Sequence, residues 1–368
     1  YMNAIDEVGK LNLIKNLNNG VSIKISALHP RYEMRKFKDL ESELIPRLIE
    51  LVHYAHSKDV EITIDAEEQD RLTLSLNIIE KLALDKVIKN WTGFGIALQA
   101  YGKRSINVIH WINKILDKRE KMHLRLVKGA YWDYEIKHAQ VFGYEDYPVY
   151  SKKSLTDISF LLCAKEILKN EKIYAKFATH NAHTISSVHQ LGQGKDYEFQ
   201  RLYGMGELLY QSAEKVLNLE KKPSVYAPIG SYKDLLPYLV RRLLENGANS
   251  SFINRLLDPE TDANWLAENP AIRIEKEKID IPLPKNIFTE RKNSLGFDLS
   301  ENSNLENLEK SISAHKKNKI NAESIYVNRD EKEKVGQKVY SIANNEEIGT
   351  AIFDLSLIHI SEPTRPLI

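Results

Sequence analysis

The sequence predicts an α/β fold: a (β/α)8 barrel of the TIM type whose first strand is missing, followed by a truncated second domain. Three observations point there. Between Gly20 and about Asn246, short β-branched or apolar runs alternate with longer amphipathic stretches, the pattern of parallel β/α units. No Gly-rich strand-to-helix turn announces an open dinucleotide-binding sheet, because Gly192-Gln-Gly194 lacks a third glycine and a helical context. Polar and charged residues gather where the runs end, which is where such a barrel places its reacting groups.

The expected strands are Val21–Ser26, Glu61–Asp65, Gly93–Gln99, His123–Lys128, Tyr174–Thr179, Glu198–Tyr203 and Ser224–Pro228. These are seven, and the chain opens within a helical pattern without an initiator Met. It is therefore expected to be a fragment whose first strand lies upstream of Tyr1. Between the strands, Leu40, Leu44, Ile45, Leu48, Ile49 and Val52 are spaced to form one apolar helix face. After the last strand, a helix is expected from about Lys233 to Asn246. Ser231-Tyr-Lys-Asp234 resembles a capping box, Pro237 suits the first turn or so, and Gly247 suits the position after the end.

Beyond about Asp258, Pro259, Pro270, Pro282 and Pro284 break a charged segment. The expected organisation is a barrel over 1–260, a linker over 261–300 and the start of a second domain over 301–355, with an amphipathic stretch near Leu305 to His315. Residues 356–368 read as a non-native tail derived from a cloning adaptor and carry no functional argument.

A length of 368 residues exceeds the roughly 250 of one α/β barrel. Lys and Arg (52) nearly cancel Asp and Glu (51), so no global field draws the chain to nucleic acid or anionic lipid. The single cysteine, Cys163, lies in an apolar run and is expected to be a small buried hydrophobe, which leaves no intrachain disulfide or thiolate metal cluster. Without a signal-peptide core or a membrane-spanning run, a cytoplasmic location is expected.

Among the strand ends, Lys24 and Asp65 lie on different strands and suit an ion pair across a barrel interior. The plainer readings are a surface lysine on an edge strand and a helix-capping aspartate. Arg125-Leu-Val-Lys128-Gly-Ala-Tyr-Trp132 sets two cations beside a glycine where backbone can approach a flat anionic ligand. The alternative is a strand with solvated charges. Arg241 and Arg242 on the last helix can fork onto a carboxylate, with Glu245 within reach of either, or form a solvated stripe. The pairs His180/His183 and His53/His56 lack a third ligand at motif spacing, so no metal is expected and the second pair reads as surface residues.

Several segments resemble the proline dehydrogenase family, in particular its bacterial bifunctional branch, proline utilization A, which joins a proline dehydrogenase to a pyrroline-5-carboxylate dehydrogenase. They are Lys24-Ile-Ser-Ala-Leu-His-Pro-Arg-Tyr32, Ile64-Asp-Ala-Glu-Glu68, Arg125 to Trp132, Phe177-Ala-Thr-His-Asn181, Gln200-Arg-Leu-Tyr-Gly-Met-Gly206, and Tyr226-Ala-Pro with Tyr238 to Asn249. The resemblance implies a distorted barrel with its last helix over the mouth and FAD bound there. It implies that Lys24, Arg241 and Arg242 hold the carboxylate of L-proline, and that Tyr131, Leu202 and Tyr226 wall its ring. Asp65 would position Lys24, and Arg125 would sit beside the reactive part of the flavin. Ile64, Gln99, Lys128, Gly129, Ala130, Trp132, Thr179, His180, Asn181, Gln200 and Glu245 are the further flavin contacts it implies.

The chemistry implied is transfer of a hydride from proline C5 to flavin N5, giving pyrroline-5-carboxylate. Also implied are reoxidation by a membrane quinone through peripheral membrane contact, and a homodimer as the form open to the full-length protein. Pro284 to Ser300 resembles the lead-in to the branch's aldehyde dehydrogenase domain, and no nucleic-acid-binding module is expected on this chain. Two other readings use the same residues: a lyase or aldolase forming a Schiff base at Lys24 or Lys128, and a barrel kept for binding or regulation without catalysis.

Overall fold

The structure is a computed structural model that describes residues 1–15, 17–247, 264, 267–277, 281–316, 318–323 and 335–353. It divides into two compact units, Tyr1–Glu301 and Asn302–Ile368.

The first unit is built on seven parallel strands, each hydrogen-bonded to the next in chain order. They are β1 (Gly20–Ile23), β2 (Glu61–Ile64), β3 (Phe94–Gln99), β4 (Met122–Val127), β5 (Ile173–Ala178), β6 (Tyr197–Leu202) and β7 (Ser224–Tyr226). All seven expected strands are present, shorter by up to three residues at their carboxyl ends. The first is cut at Ile23 because Ile25–Ala27 coils into a 3-10 turn. The connecting helices are α1 (Met2–Lys15), α2 (Phe37–Glu43), α3 (Ile45–Ser57), α4 (Leu72–Ala83), α5 (Ser105–Leu116), α6 (Trp132–Phe142), α7 (Lys153–Leu168), α8 (Ala182–Leu191), α9 (Glu207–Leu217), α10 (Tyr232–Gly247) and α11 (Pro270–Lys276).

Alternation along the strands gives the sheet two unlike faces. Ile62, Ile64, Phe94, Ile96, Leu124, Leu126, Phe177 and Phe199 are all buried, and they alternate with polar residues such as Thr63, His123, Arg125, Lys176 and Gln200. The polar face curls on itself. Lys176 on β5 reaches Glu61 on β2 at 2.6 Å, and Tyr226 on β7 reaches Asp65, just past β2, at 3.2 Å. In a flat sheet, with strands about 4.8 Å apart, three or more strand spacings would separate such pairs. Gly95 on β3 lets the His123 ring of β4 lie over it, since a side-chain carbon there would lie 2.0 Å from that ring.

The periodic face at Leu40 to Val52 is broken into two helices rather than one. Pro46 is the second residue of α3, in the first turn where its missing N–H costs nothing, and α2 ends at Glu43. Leu40, Leu44, Ile45, Leu48 and Val52 are nonetheless buried together, as the pattern requires. Helix α10 starts at Tyr232, and Ser231 bonds Asp234 through its hydroxyl to the carboxylate at 2.6 Å. The two residues of the expected capping box thus meet as a side-chain pair, not through the reciprocal bonds to backbone that define the motif. Pro237 falls inside the helix, beyond its first turn, and Gly247 is the last helical residue in place of the position after the end. Cys163 is fully buried, and burial pushes its thiol up to about 11.

The second unit holds α12 (Asn302–Lys316), which covers the expected amphipathic stretch, and three strands that the sequence did not suggest. These are β8 (Ile320–Glu323), β9 (Val335–Tyr340) and β10 (Glu347–Phe353), with β10 parallel to β8 and antiparallel to β9. The tail 356–368 lies outside the described residues.

Candidate active site

The carboxyl ends of β1, β2, β4, β6 and β7 bring one arginine to a common point. Arg125 on β4 donates from Nη1 to Asp65 Oδ1 at 2.9 Å, from Nη2 to Ser22 Oγ at 2.9 Å, and from Nε to Gln200 Oε1 at 2.8 Å. The Tyr226 ring lies 4.8 Å from the guanidinium carbon. A planar donor fork with a partner on each of its three nitrogens and an aromatic face beside it has little freedom left. Arg125 and Asp65 are only 11% and 12% exposed, so their attraction is far less screened than that of a surface pair.

Asp65 serves more than one partner. Its Oδ2 accepts from the Tyr226 hydroxyl and lies 3.7 Å from Lys24 Nζ. Burial works against the Lys24 ammonium, but Asp65, Tyr131 and Glu67 outweigh it, and the lysine pKa is raised. Lys24 therefore carries its charge, and it donates to the Tyr131 hydroxyl at 3.4 Å. Burial, helped by the Asp65 charge, raises the Tyr226 pKa and keeps its phenol a proton donor. The ion pair expected from sequence is present, with Arg125 as the closer partner.

A second group lines the loops after β3, β4 and β5. Gln99 donates to the Glu67 carbonyl at 2.7 Å and accepts from the Ala130 N–H at 3.1 Å, tying three strand ends together. Gly129 has φ +140°, and a side-chain carbon there would sit 2.4 Å from the buried Tyr101 ring, so glycine is required for this course of the loop. Lys128 pairs with Asp157, and Trp132 donates to the Tyr150 carbonyl at 2.8 Å. Asn181 caps α8 by accepting from the Thr184 N–H at 2.9 Å. His180 accepts the Leu202 N–H at 3.1 Å, while Tyr210 bonds the Thr179 carbonyl at 2.9 Å.

Ile64 stands apart. It alternates with Asp65, is 1% exposed and faces the helical layer, so the mouth can meet it only through backbone. The backbone of Arg241, Arg242 and Glu245 runs within α10, and their side chains lie outside the described residues. Among the described residues, no three His, Cys, Asp or Glu side chains are grouped to hold a metal ion. His53 and His56 are half-buried, not surface residues: His53 bonds Asp85 at 2.7 Å, and His56 meets Trp91 edge-on.

Sequence reasoning missed Ser22 and Asp157 as supports of this site, and it marked Glu67 only within the run Ile64 to Glu68, without a role. Ser22 was within reach, because it lies two residues before Lys24 and hence on the same face of its strand. The others are separated from their partners by many residues in the chain, and only folding reveals them.

Three comparisons bear on this constellation. The sequence profile of the family described as proline dehydrogenase matches residues 1–255. The chain is 44% identical over 334 residues to the bifunctional protein PutA of Klebsiella aerogenes, covering 85% of this chain and 26% of that protein. Against the bifunctional protein PutA of Escherichia coli K12 the identity is 43%, covering 85% and 25%. The fold is similar to the crystal structure of a variant of Bradyrhizobium japonicum proline utilization A, with a TM-score of 0.81, 40% identity and coverage of 89% of this chain and 34% of that one. The chain thus spans about a quarter of the length of these curated relatives.

Proposed function

The chain belongs to the proline dehydrogenase family, and from that premise we propose that it oxidises L-proline to 1-pyrroline-5-carboxylate with FAD as the cofactor. The single observation that carries the reading is Arg125, gripped by Asp65, Ser22 and Gln200 under Tyr226, with the charged Lys24 held by Asp65 and Tyr131 beside it. Two cations at one mouth, next to aromatic walls, match a small substrate with a carboxylate and an apolar ring.

FAD fits the donor set. Gly129, packed against the buried Tyr101 ring where a side chain would not fit, fixes the course of the loop that carries Lys128 and Ala130 to the mouth. Around it stand Arg125, Lys128, Gln99, Gln200, Thr179, His180 and Asn181, a set rich in donors for an anionic ligand. Ala130 and Trp132 continue that surface, Ile64 joins it through backbone, and Glu245 completes the proposed set from α10. The chemistry FAD supplies when bound is acceptance of the hydride from proline C5 at its N5.

The chain's own residues do the rest by binding and orientation. Lys24, with Arg241 and Arg242 from α10, holds the proline carboxylate. Tyr131, Leu202 and Tyr226 wall the ring and fix which carbon faces the acceptor. Asp65 keeps Lys24 and Arg125 in place and balances their charge. A protonated Lys24 and a Lys128 engaged by Asp157 are poor amine nucleophiles, which argues against Schiff-base chemistry here.

The same reading extends to the whole protein: residues 1–260 as the oxidising barrel, 261–300 as a linker and 301–355 as the start of an aldehyde dehydrogenase domain. It includes a cytoplasmic location, reoxidation by a membrane quinone through peripheral contact, and a homodimer for the full-length protein. No helix among the described residues is long and apolar enough to cross a membrane.

The test is a visible spectrum of the purified protein supplied with FAD, before and after anaerobic addition of L-proline. Flavin bands that bleach are the expected result. Bands that persist with L-proline would remove proline as substrate, and a protein that takes up no FAD would remove the cofactor as well.

A further inference from the structure

Beneath the mouth, the inner face of the sheet carries a column of charges that the proposed chemistry does not use. Glu61 on β2 takes the Lys176 ammonium at 2.6 Å. Lys176 on β5 lies 3.8 Å from Glu198 Oε1 on β6, and Glu198 Oε2 accepts from the Tyr174 hydroxyl at 3.3 Å. The same Glu198 Oε1 accepts from Gln200 Nε2 at 2.8 Å, and Gln200 Oε1 in turn accepts from Arg125 Nε at 2.8 Å.

We propose that Glu198 is a positioning residue for proline oxidation, fixing the amide orientation of Gln200 so that Gln200 can hold Arg125 in register at the site. This rests on the proposed function. A guanidinium can only donate and a carboxylate can only accept. Gln200 lies between one of each, so only one of its two amide orientations satisfies both neighbours. Turned over, its NH2 would face the Arg125 N–H and its carbonyl oxygen would face the Glu198 carboxylate, replacing two bonds by two repulsions. Gln200 is 7% exposed, too buried for bulk water to rescue the wrong orientation.

Glu198 and Gln200 sit two residues apart on one strand and so share its inner face. Glu198 needs no contact with substrate or cofactor to act. Lys176 and Tyr174 keep its carboxylate from turning away, and Glu61 keeps Lys176 from leaving. Donation thus runs in one sense from Arg125 at the mouth through Gln200 to the Glu198 carboxylate, which Lys176 approaches from the other side.

The test is Glu198→Gln in the full chain. The variant keeps the shape but replaces an obligate charged acceptor by an amide that can present either end, so Gln200 loses the anionic half of its lock and is oriented by Arg125 alone. The expected loss in kcat/KM for L-proline is about tenfold, the worth of one charge-assisted hydrogen bond, with a shift in the midpoint potential of bound FAD. In an Arg125→Met background the same substitution should cost almost nothing, because the arginine through which Glu198 acts is gone. Equal losses in both backgrounds, or an unaltered E198Q enzyme, would overturn the proposal.

Should E198Q unfold before it can be assayed, Glu198→Asp, which shortens the reach to Gln200 but keeps the charge for Lys176, is read in the same cycle with the same outcomes. Wild-type protein that leaves proline untouched would defeat the proposed function instead. The cycle read in urea midpoints would still decide the inference: coupling between positions 198 and 125 supports it, and additivity overturns it.

Discussion

At Asp65 two cations and a phenol share one carboxylate, and each depends on its charge. Arg125 takes Oδ1, while Lys24 and Tyr226 lie at Oδ2. An Asp65→Asn side chain retains the shape but cannot balance two positive charges. Removing one member of a buried pair costs about 3–5 kcal/mol, and only part of that needs to reach the transition state to matter. A loss in kcat/KM on the order of 100-fold is expected, read from the rate of flavin bleaching against proline concentration. At Gly129 the constraint is steric. Gly129→Ala must strain a backbone at φ +140° and press on the Tyr101 ring, at a cost of about 1–3 kcal/mol. A thermal midpoint lower by several degrees and weaker retention of FAD are expected, and an unchanged melt would mean that the loop can shift away from Tyr101.

At the scale of elements, Glu135 joins α6 to the loop after β2. It is 2% exposed, and it accepts from the Gln69 N–H at 2.8 Å and the Tyr101 hydroxyl at 3.2 Å. Burial pushes its carboxyl up to about 7, although both hydrogen bonds oppose this. A carboxyl whose folded pKa is raised binds its proton more tightly in the folded state. Its contribution to stability is therefore complete below the ordinary value of 4.5 and fades as pH rises through about 7. Glu135→Gln, which imitates the protonated form, should flatten the fall in stability across that window. Urea unfolding of both proteins at several pH values checks this, and parallel curves would show that Glu135 does not titrate there.

At the scale of the whole sheet, the interior of the curl is polar, and Lys176 is the cation at its centre. It joins β5 to β2 and β6 through Glu61 and Glu198, while its own exposure is 7%. Burial drives His123 strongly towards its neutral form, aided by the nearby cations, so it cannot replace that charge. Lys176→Met would leave two carboxylates facing each other without a counter-charge. The expected cost is about 3–5 kcal/mol, measured as a lower urea midpoint with an unchanged slope. A variant as stable as the wild type would mean that water reaches the interior and screens the pair.

The sequence by itself determined the order and nature of the seven strands, because alternation of apolar and polar residues is a local property that each run carries with it. It also determined the family, through motifs that recur in fixed order at the ends of those runs. Lys24, Asp65, Arg125 and Tyr226 were legible as candidate site residues for that reason, and the structure brings them together. Where Ser22, Glu67 and Glu198 engage depended on neighbours far along the chain. Only the curl of the sheet decided that Asp65 would face Tyr226 and that Ile64, one residue away, would turn to the helices. Contacts across the inside of the curl join residues over 100 positions apart, and no local pattern encodes which of them will meet.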